Sequence, residues 1–314
     1  MARRELGPAT WSVVQAVGAA LEPSDTRLVV ACSGGPDSLA LAYAVAHLAR
    51  RHALPYAGVV VDHGLQHGSA AVADRVRVQL GDLGYPQVRV VRVAVTGGGG
   101  LEAAARTARH AALEEAARPD GTVLLGHTLD DQAETVLLGL ARGSGARSLA
   151  GMAPRSRHLV RPLLGLRHAT TVQACTELGL PAWTDPHNTD HRFTRVRVRE
   201  TLLPVLETEL GPGVAESLAR TADLARDDAD LLDALAADAD PGTDHLRTDL
   251  LANLPRALRT RLIRRWLLRH GVPDLHRSHV LQVEALVTHW RGQGPVHLPG
   301  RAVGRSEDSL RFVG

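Results

Sequence analysis

An α/β architecture is predicted, with a parallel sheet covered by helices on both faces and followed by a smaller, mainly helical domain. Three observations predict it. Short, nearly continuous apolar runs alternate with Ala- and Leu-rich stretches from about residue 28 to residue 178, as in parallel strands buried on both faces and joined by helices. The first run stops abruptly at Ser33-Gly34-Gly35, and a helix is expected to open at Pro36, because proline suits a first helical position. Composition then shifts after about Pro204, where an acidic stretch, Asp223–Asp240, precedes a basic one, Arg256–Arg269. Gly211-Pro212-Gly213 punctuates that shift, so the expected domains are residues 1–208 and 209–314.

The elements follow in order. Residues 1–26 read as a leading helix, with Trp11, Val13, Val14 and Val17 on its apolar side and Pro23-Ser24 as its stop. Strands are expected at Leu28–Cys32, Ala57–Val61, Val88–Val95, Thr122–Leu125 and about Leu159–Leu163. Helices are expected at 37–51, 69–83, 101–117, 130–141 and 167–178, and Gly97–Gly100 reads as a flexible link. In the tail, only the short end Pro295–Val313 regains strand character. Within Pro255–His270, at about 100° per residue, Arg261, Arg264 and Arg265 fall on one side of a helix. Leu262, Ile263 and Trp266 fall on the other.

Composition sets bounds. With 314 residues, 44% hydrophobic and 22% charged, the chain has the make-up of an ordinary globular protein. Aromatic residues are only 3%, so Ala, Val and Leu must fill the core. Two cysteines, Cys32 and Cys175, are too few for a disulfide framework or a four-cysteine zinc site. No apolar run approaches the ~18 residues of a membrane span, and no signal-peptide core follows Arg3 and Arg4. A soluble protein of the cytoplasm, without membrane partners, is expected. The net charge of +2 does not by itself call for nucleic acid.

Several clusters fall where such sheets bind ligands, at the carboxyl ends of the strands. The paired glycines and the helix start make a phosphate-binding turn of Ser33, Gly34, Gly35, Pro36, Asp37 and Ser38. All 36 Lys+Arg are arginine, so the lysine-bearing triphosphate loop is excluded. Asp62 and His63 end the second strand, where they suit a nucleotide contact or simply a loop. Glu102 and Arg106 open a helix, and Arg106 is either a phosphate clamp or a surface partner of Glu102. Gly126-His127-Thr128 leads into Asp130, Asp131 and Glu134. Thr128 and Asp131 have capping-box spacing, but three carboxylates exceed what capping needs and suit magnesium or a cationic substrate. Arg192, Arg195, Arg197 and Arg199 form a cationic patch that fits a phosphate backbone or a solvated face.

Taken together, the segments resemble one family. The turn Ser33–Ser38 resembles the SGGxDS signature of the PP-loop ATP pyrophosphatases. Val61-Asp62-His63-Gly64-Leu65, the Glu102–Arg106 helix start, residues 126–152, Arg161-Pro162-Leu163-Leu164 and residues 185–204 extend the resemblance, in order, to the tRNA(Ile)-lysidine synthetases. Gln66 stands where an arginine is usual, His110 where a tyrosine is usual and Val196 where asparagine is frequent. The resemblance implies a PP-loop ATPase fold with a single C-terminal domain. It also implies ligation of free L-lysine to C2 of the anticodon cytidine in tRNA(Ile) with a CAU anticodon. ATP first adenylates the cytidine, pyrophosphate leaves, and AMP leaves when the lysine amine attacks. On this reading Ser33, Gly34, Gly35, Pro36 and Ser38 cradle the ATP phosphates, with Asp62, His63, Gly126 and His127 also lining the nucleotide site. Asp37 would orient Mg2+, Arg106 would neutralise phosphate charge, and Asp131 with Glu134 would hold lysine or, through Asp131, a metal. Arg192, Arg195, Arg197, Arg199, Arg261, Arg264 and Arg265 would contact tRNA. Two other readings stand beside it: a PP-loop tRNA thiolase, which normally uses paired cysteines, and a nucleotide-gated tRNA-binding protein without catalysis.

Overall fold

A computed structural model describes residues 6–62, Gly64, 68–93, 101–143 and 145–313, excepting the side chains of 101–106, Pro186 and His187. Packing divides the chain into two units, Met1–Asp223 and Leu224–Gly314. The division falls inside a helix, a little past the Gly211–Gly213 turn. Val214, Ala215 and Gly213 all donate backbone N–H groups to Glu207.

In the first unit the order is α1 (Pro8–Ala20), β1 (Leu28–Ala31), α2 (Pro36–His52), β2 (Tyr56–Asp62), α3 (Ser69–Asp82) and β3 (Val88–Arg92). There follow α4 (Leu101–Ala117), β4 (Thr122–Leu125), α5 (Leu129–Ala141), α6 (Gly145–Leu149), β5 (Arg155–Ser156), β6 (Leu159–Val160) and α7 (His168–Leu178). A 3-10 turn (Pro186–Thr189), α8 (Thr194–Arg197), a π-helical turn (Val198–Leu202) and α9 (Leu203–Leu210) lead into α10 (Val214–Asp238). The sheet order is β3-β2-β1-β4-β6-β5, parallel except for the antiparallel β5–β6 pair. The expected fifth strand is thus shortened to Leu159–Val160 and gains a hairpin partner. Arg157 makes the turn at φ = 50°. A two-residue strand leaves no periodicity to read in the sequence.

Strand order reverses between β1 and β4, which makes the space beyond their carboxyl ends the topological switch point. Leu28, Val29 and Val30 of β1 are at most 2% exposed, because α1, α2 and α7 cover one face and α4 the other. The amino end of the sheet is fastened separately. Asp25, 4% exposed, accepts from Arg155 Nη1 and Nη2 at 3.0 and 2.7 Å and from Thr122 Oγ1 at 2.6 Å.

The second unit adds β7 (Leu246–Arg247), α11 (Thr248–Asn253), α12 (Arg256–Arg269), α13 (Arg277–Thr288), β8 (Val296–Leu298), β9 (Arg301–Ser306) and β10 (Ser309–Val313). Its antiparallel sheet has the order β7-β10-β9-β8. Leu262, Ile263, Trp266 and Leu267 of α12 are fully buried among Leu246, Val303 and Leu310, so the apolar side of that helix faces the core. The Trp266 and Phe312 rings pack with their centroids 4.6 Å apart, tilted by 31°.

Arg155→Met is expected to lower unfolding stability by about 3 kcal/mol, as for a carboxylate left buried without its cation. Burial raises the Asp25 carboxyl, but its donors outweigh that and hold it below the usual range. The advantage of the wild type is therefore present at neutral pH and lost as the pH falls through the carboxylate range. Urea titrations of both proteins at pH 7 and pH 3.5 check this.

Candidate active site

Two turns meet beyond the ends of β1 and β4. In the first, Gly34 has φ = 87° and a Cβ there would lie 2.5 Å from Val76, so both conformation and space require glycine. Ser38 reaches back from α2: its Oγ accepts from Ser33 N at 3.2 Å and donates to Gly35 O at 2.9 Å. Trp183 N donates to Gly34 O at 2.9 Å from the far side. Gly35 caps α2 with no side-chain hydrogen bond and Pro36 follows it. The remaining amides of that first turn thus keep the partial positive charge that attracts an anion.

The second turn is Gly126-His127-Thr128. A Cβ on Gly126 would lie 3.0 Å from the Asp37 carbonyl and from Ser38 N, so glycine here lets the two turns touch. Beyond it Asp131 Oδ2 accepts from Thr128 N at 2.9 Å and from Thr128 Oγ1 at 3.2 Å, forming the capping box. The other oxygen, Oδ1, accepts from Arg199 Nη2 at 3.2 Å. Arg199 Nε donates to Glu134 Oε1 at 2.5 Å, and Arg195 Nη1 lies 4.0 Å from Glu134 Oε2. Glu134 is fully buried. Burial pushes its carboxyl above the usual range, and the Arg199 guanidinium opposes that. Asp131 and Glu134 thus share one guanidinium between them.

Asp130 turns the opposite way, its Oδ2 accepting from His168 N at 2.6 Å. His168 Nδ1 lies 2.9 and 3.1 Å from the two oxygens of Asp37, and Thr171 Oγ1 donates to the same carboxylate. The Asp37 contact raises the His168 imidazole above its ordinary range, against the effect of burial. No sequence motif singled out His168 or Thr171; they come to the site only because α7 packs on α2. His127 contributes a different surface. Its Nδ1 is buried with no hydrogen-bond partner among the described residues. Burial pushes the ring down to about 4; Asp131 acts against this, and Arg161, Arg109 and Arg195 reinforce it.

The remaining expected site residues have other surroundings. Asp62 is 4% exposed and accepts from Gly64 N at 2.9 Å and Arg92 Nε at 3.3 Å. Burial raises this carboxyl, but Gly64, Ser69 and Arg92 together hold it below the usual range, so its visible work is closing the turn after β2. His63, Gln66, Gly97–Gly100 and the Arg106 side chain lie outside what is described. Arg195 and Arg199 face the carboxylates, whereas Arg192 pairs with Asp190 at 2.6 Å and Arg197 donates to His191 O at 2.6 Å. In the second unit the acidic stretch supplies counter-ions for the basic one. Arg261 pairs with Asp233 at 2.9 Å, and Arg265 and Arg269 share Asp240 at 3.0 and 2.7 Å. Arg264 is exposed and donates to Leu275 O at 3.0 Å.

A magnesium ion fits one part of this geometry. Among the described residues no three His, Cys, Asp or Glu side chains converge on a point, but magnesium beside phosphates needs only one or two carboxylates. Asp37, 24% exposed at the phosphate turn, meets that need. Asp131, the other carboxylate expected to hold a metal, has its oxygens on Thr128 and Arg199, as Asp37 has its own on His168 and Thr171. No helix among the described residues is long and apolar enough to cross a membrane.

The sheet order, the glycine turn and the acidic α5 define a PP-loop ATP-using domain, and the model described as "PP-loop domain" matches residues 11–206. A second, "TilS substrate binding domain", matches residues 246–311. The chain belongs to the tRNA(Ile)-lysidine synthase family, whose members are ATP-dependent ligases. It is 54% identical over 299 residues to the tRNA(Ile)-lysidine synthase of Thermobifida fusca, covering 93% of this chain and 92% of that protein. To that of Mycolicibacterium paratuberculosis it is 56% identical over 281 residues, 87% of this chain and 86% of the other. The U34-tRNA thiolase NcsA from Methanococcus maripaludis shares the fold alone, with a TM-score of 0.58 at 17% identity over 69% of this chain and 80% of that one.

His127 is held neutral in the folded protein and titrates near its ordinary value when unfolded. The unfolded state therefore gains the extra proton, and stability should fall as the pH drops from about 6.5 to about 4. In His127→Asn that part of the pH dependence is expected to disappear, as seen in denaturant midpoints measured between pH 7 and pH 4.

Proposed function

We propose that this enzyme joins free L-lysine to C2 of the anticodon cytidine of tRNA(Ile) with a CAU anticodon, at the expense of ATP. The observation that carries the reading is the pairing, on one strand-end surface, of an anion-binding turn with a two-carboxylate cation site. An ATP phosphate chain and a lysine ammonium are the ligands those two halves suit. Membership of the family adds the tRNA.

In the first step the cytidine O2 attacks the α-phosphorus of ATP, and the bond to the β-phosphate oxygen breaks to release pyrophosphate. Ser33, Gly34, Gly35, Pro36 and Ser38 bind the departing phosphates, and Gly126 and His127 border the nucleotide. Asp37 would hold magnesium, which when bound supplies positive charge to the phosphate oxygens. Arg106 is assigned to the same charge. In the second step the deprotonated ε-amine of lysine attacks C2, the C2–O bond breaks, and AMP leaves. Asp131 and Glu134 bind the ammonium beforehand. Glu134, whose burial favours the protonated carboxyl, accepts the proton the amine must shed. Arg192, Arg195, Arg197 and Arg199, together with Arg261, Arg264 and Arg265, are the proposed tRNA contacts, and the exposed Arg192 and Arg264 are the ones best placed to meet phosphates.

Sulfur chemistry has less support. Cys32 and Cys175 are both buried, and burial pushes the Cys175 thiol up to about 11, whereas thiolate reactivity needs the opposite shift. A purely binding protein would not need Glu134 sealed from water beside an arginine.

Labelled lysine incorporated into the CAU transcript, with equimolar AMP and pyrophosphate, tests the proposal; ATP turnover indifferent to lysine would refute it. Ser33→Ala and Asp37→Ala are expected to reduce turnover by about 100-fold or more; Ser33→Ala should melt with the wild type, whereas Asp37→Ala, which takes the acceptor from Thr171 and His168, should also melt somewhat lower. Asp131→Asn and Glu134→Gln should raise the KM for lysine at least about tenfold more than that for ATP, the scale of a lost charge-assisted contact. Equal losses for both substrates would move these two residues to the metal.

For the tRNA surface, Arg192→Gln and Arg264→Gln are each expected to weaken binding and to lower the salt slope by about one. Filter binding at several salt concentrations reads this directly. An unchanged slope in both makes these arginines scaffold.

A further inference from the structure

One face of α7 grips the first turn of α2. His168, Thr171 and Cys175 lie at i, i+3 and i+7, the spacing of a single helix face. His168 Nδ1 lies 2.9 Å from Asp37 Oδ1 and 3.1 Å from Oδ2. Thr171 Oγ1 donates to Asp37 Oδ1, and Cys175 Sγ donates to Pro36 O at 3.3 Å. The backbone N–H of His168 meanwhile binds Asp130 Oδ2 at 2.6 Å. One residue thus joins the carboxylate of the phosphate turn to the first turn of the acidic helix α5.

The burial pattern separates the two side chains. Thr171 is fully buried, so its hydroxyl must find a protein partner, and Asp37 is one. His168 keeps 49% of its side chain exposed and fills no part of the core. Packing therefore gives no reason for an imidazole at the first position of α7, whereas the contact with Asp37 does. An aspartate in the first turn of a helix otherwise has freedom to swing toward its own amides. Two donors from a separate helix remove that freedom.

We propose that His168 and Thr171 are positioning residues for the ATP-consuming step, fixing the Asp37 carboxylate beside the phosphate turn and keeping α5 in register with it. The inference rests on the reading of that turn as the ATP site. Partners that hydrogen-bond a ligating carboxylate typically change metal affinity or activity by about 10- to 100-fold when removed.

The test uses the full chain with His168→Ala, His168→Asn and Thr171→Val. ATP binding is measured by calorimetry across a magnesium titration, and steady-state constants are measured for ATP and for lysine. His168→Ala should weaken magnesium-dependent ATP binding at least about tenfold and leave the KM for lysine within about twofold. His168→Asn, whose side-chain amide can donate from nearly the same place as Nδ1, should recover most of the loss. His168 is half-exposed, so its variants are expected to melt with the wild type even if Thr171→Val does not. Wild-type ATP binding and magnesium requirement in His168→Ala overturn the proposal, and so does a loss that asparagine fails to repair. The same calorimetry separates the two readings: a wild type that binds ATP but incorporates no lysine fails the lysine chemistry alone, whereas one that binds no ATP fails both.

Discussion

The positive ends of three helix dipoles, those of α2, α5 and α7, converge at the carboxyl edge of the sheet, and carboxylates hold them there. Like poles brought together repel in the absence of a counter-charge. Asp37 of α2 meets the first turn of α7 through His168 and Thr171, Asp130 of α5 receives the first amide of α7, and Asp131 caps its own helix. Asp37 and Asp130 tie α7 to α2 and to α5, and Asp131 satisfies the start of its own helix. The sheet order makes this meeting unavoidable, because β1 and β4 are adjacent and both feed a helix at the same edge.

The same arrangement divides the edge into two electrostatic halves. At the turn after β1 no side chain caps α2, and the field there remains positive. One turn into α5 stand the carboxylates instead, Glu134 sealed from water and answered by Arg199. A buried carboxylate with an arginine is costly to assemble and adds little net stability, since desolvation offsets much of the attraction. The Glu134–Arg199 pair is therefore no main source of folding stability. His127 sharpens the contrast, for an imidazole kept neutral near so many arginines can donate or accept a hydrogen bond without adding charge.

Much of this was legible before any coordinates, and the reasons are local. The glycine turn, the Thr128–Asp131 cap and the apolar stripe of α12 are each set by spacings of a few residues, so pattern reading reaches them. What escaped depended on tertiary packing. His168 and Thr171 lie 131 and 134 positions from Asp37, and nothing in their own segment marks them. Asp62 reads from its place at a strand end as either a nucleotide contact or a loop residue, and only the fold adds that its carboxylate bonds the backbone of Gly64 and Arg92. The acidic and basic stretches of the tail are read in the sequence only as a shift in composition. In space they are partners, since Asp233 and Asp240 answer Arg261, Arg265 and Arg269. Charge runs show that cations are present, not that they are free.

The absence of lysine from the chain gives the carboxylate pair one last consequence. A guanidinium stays charged under all ordinary conditions, whereas an ammonium placed in a dry site gives up its proton more readily. Arg199 can therefore bridge Asp131 and Glu134 as a permanent cation, with no nucleophilic amine of the protein's own beside the reacting carbon. In the proposed reaction the substrate's ε-amine must do what Arg199 cannot, which is to shed a proton and attack. The burial of Glu134 that lets it hold a proton is also the condition that favours the neutral amine. Recognition and activation of lysine would then share one physical cause, a carboxylate removed from water next to a cation that never titrates.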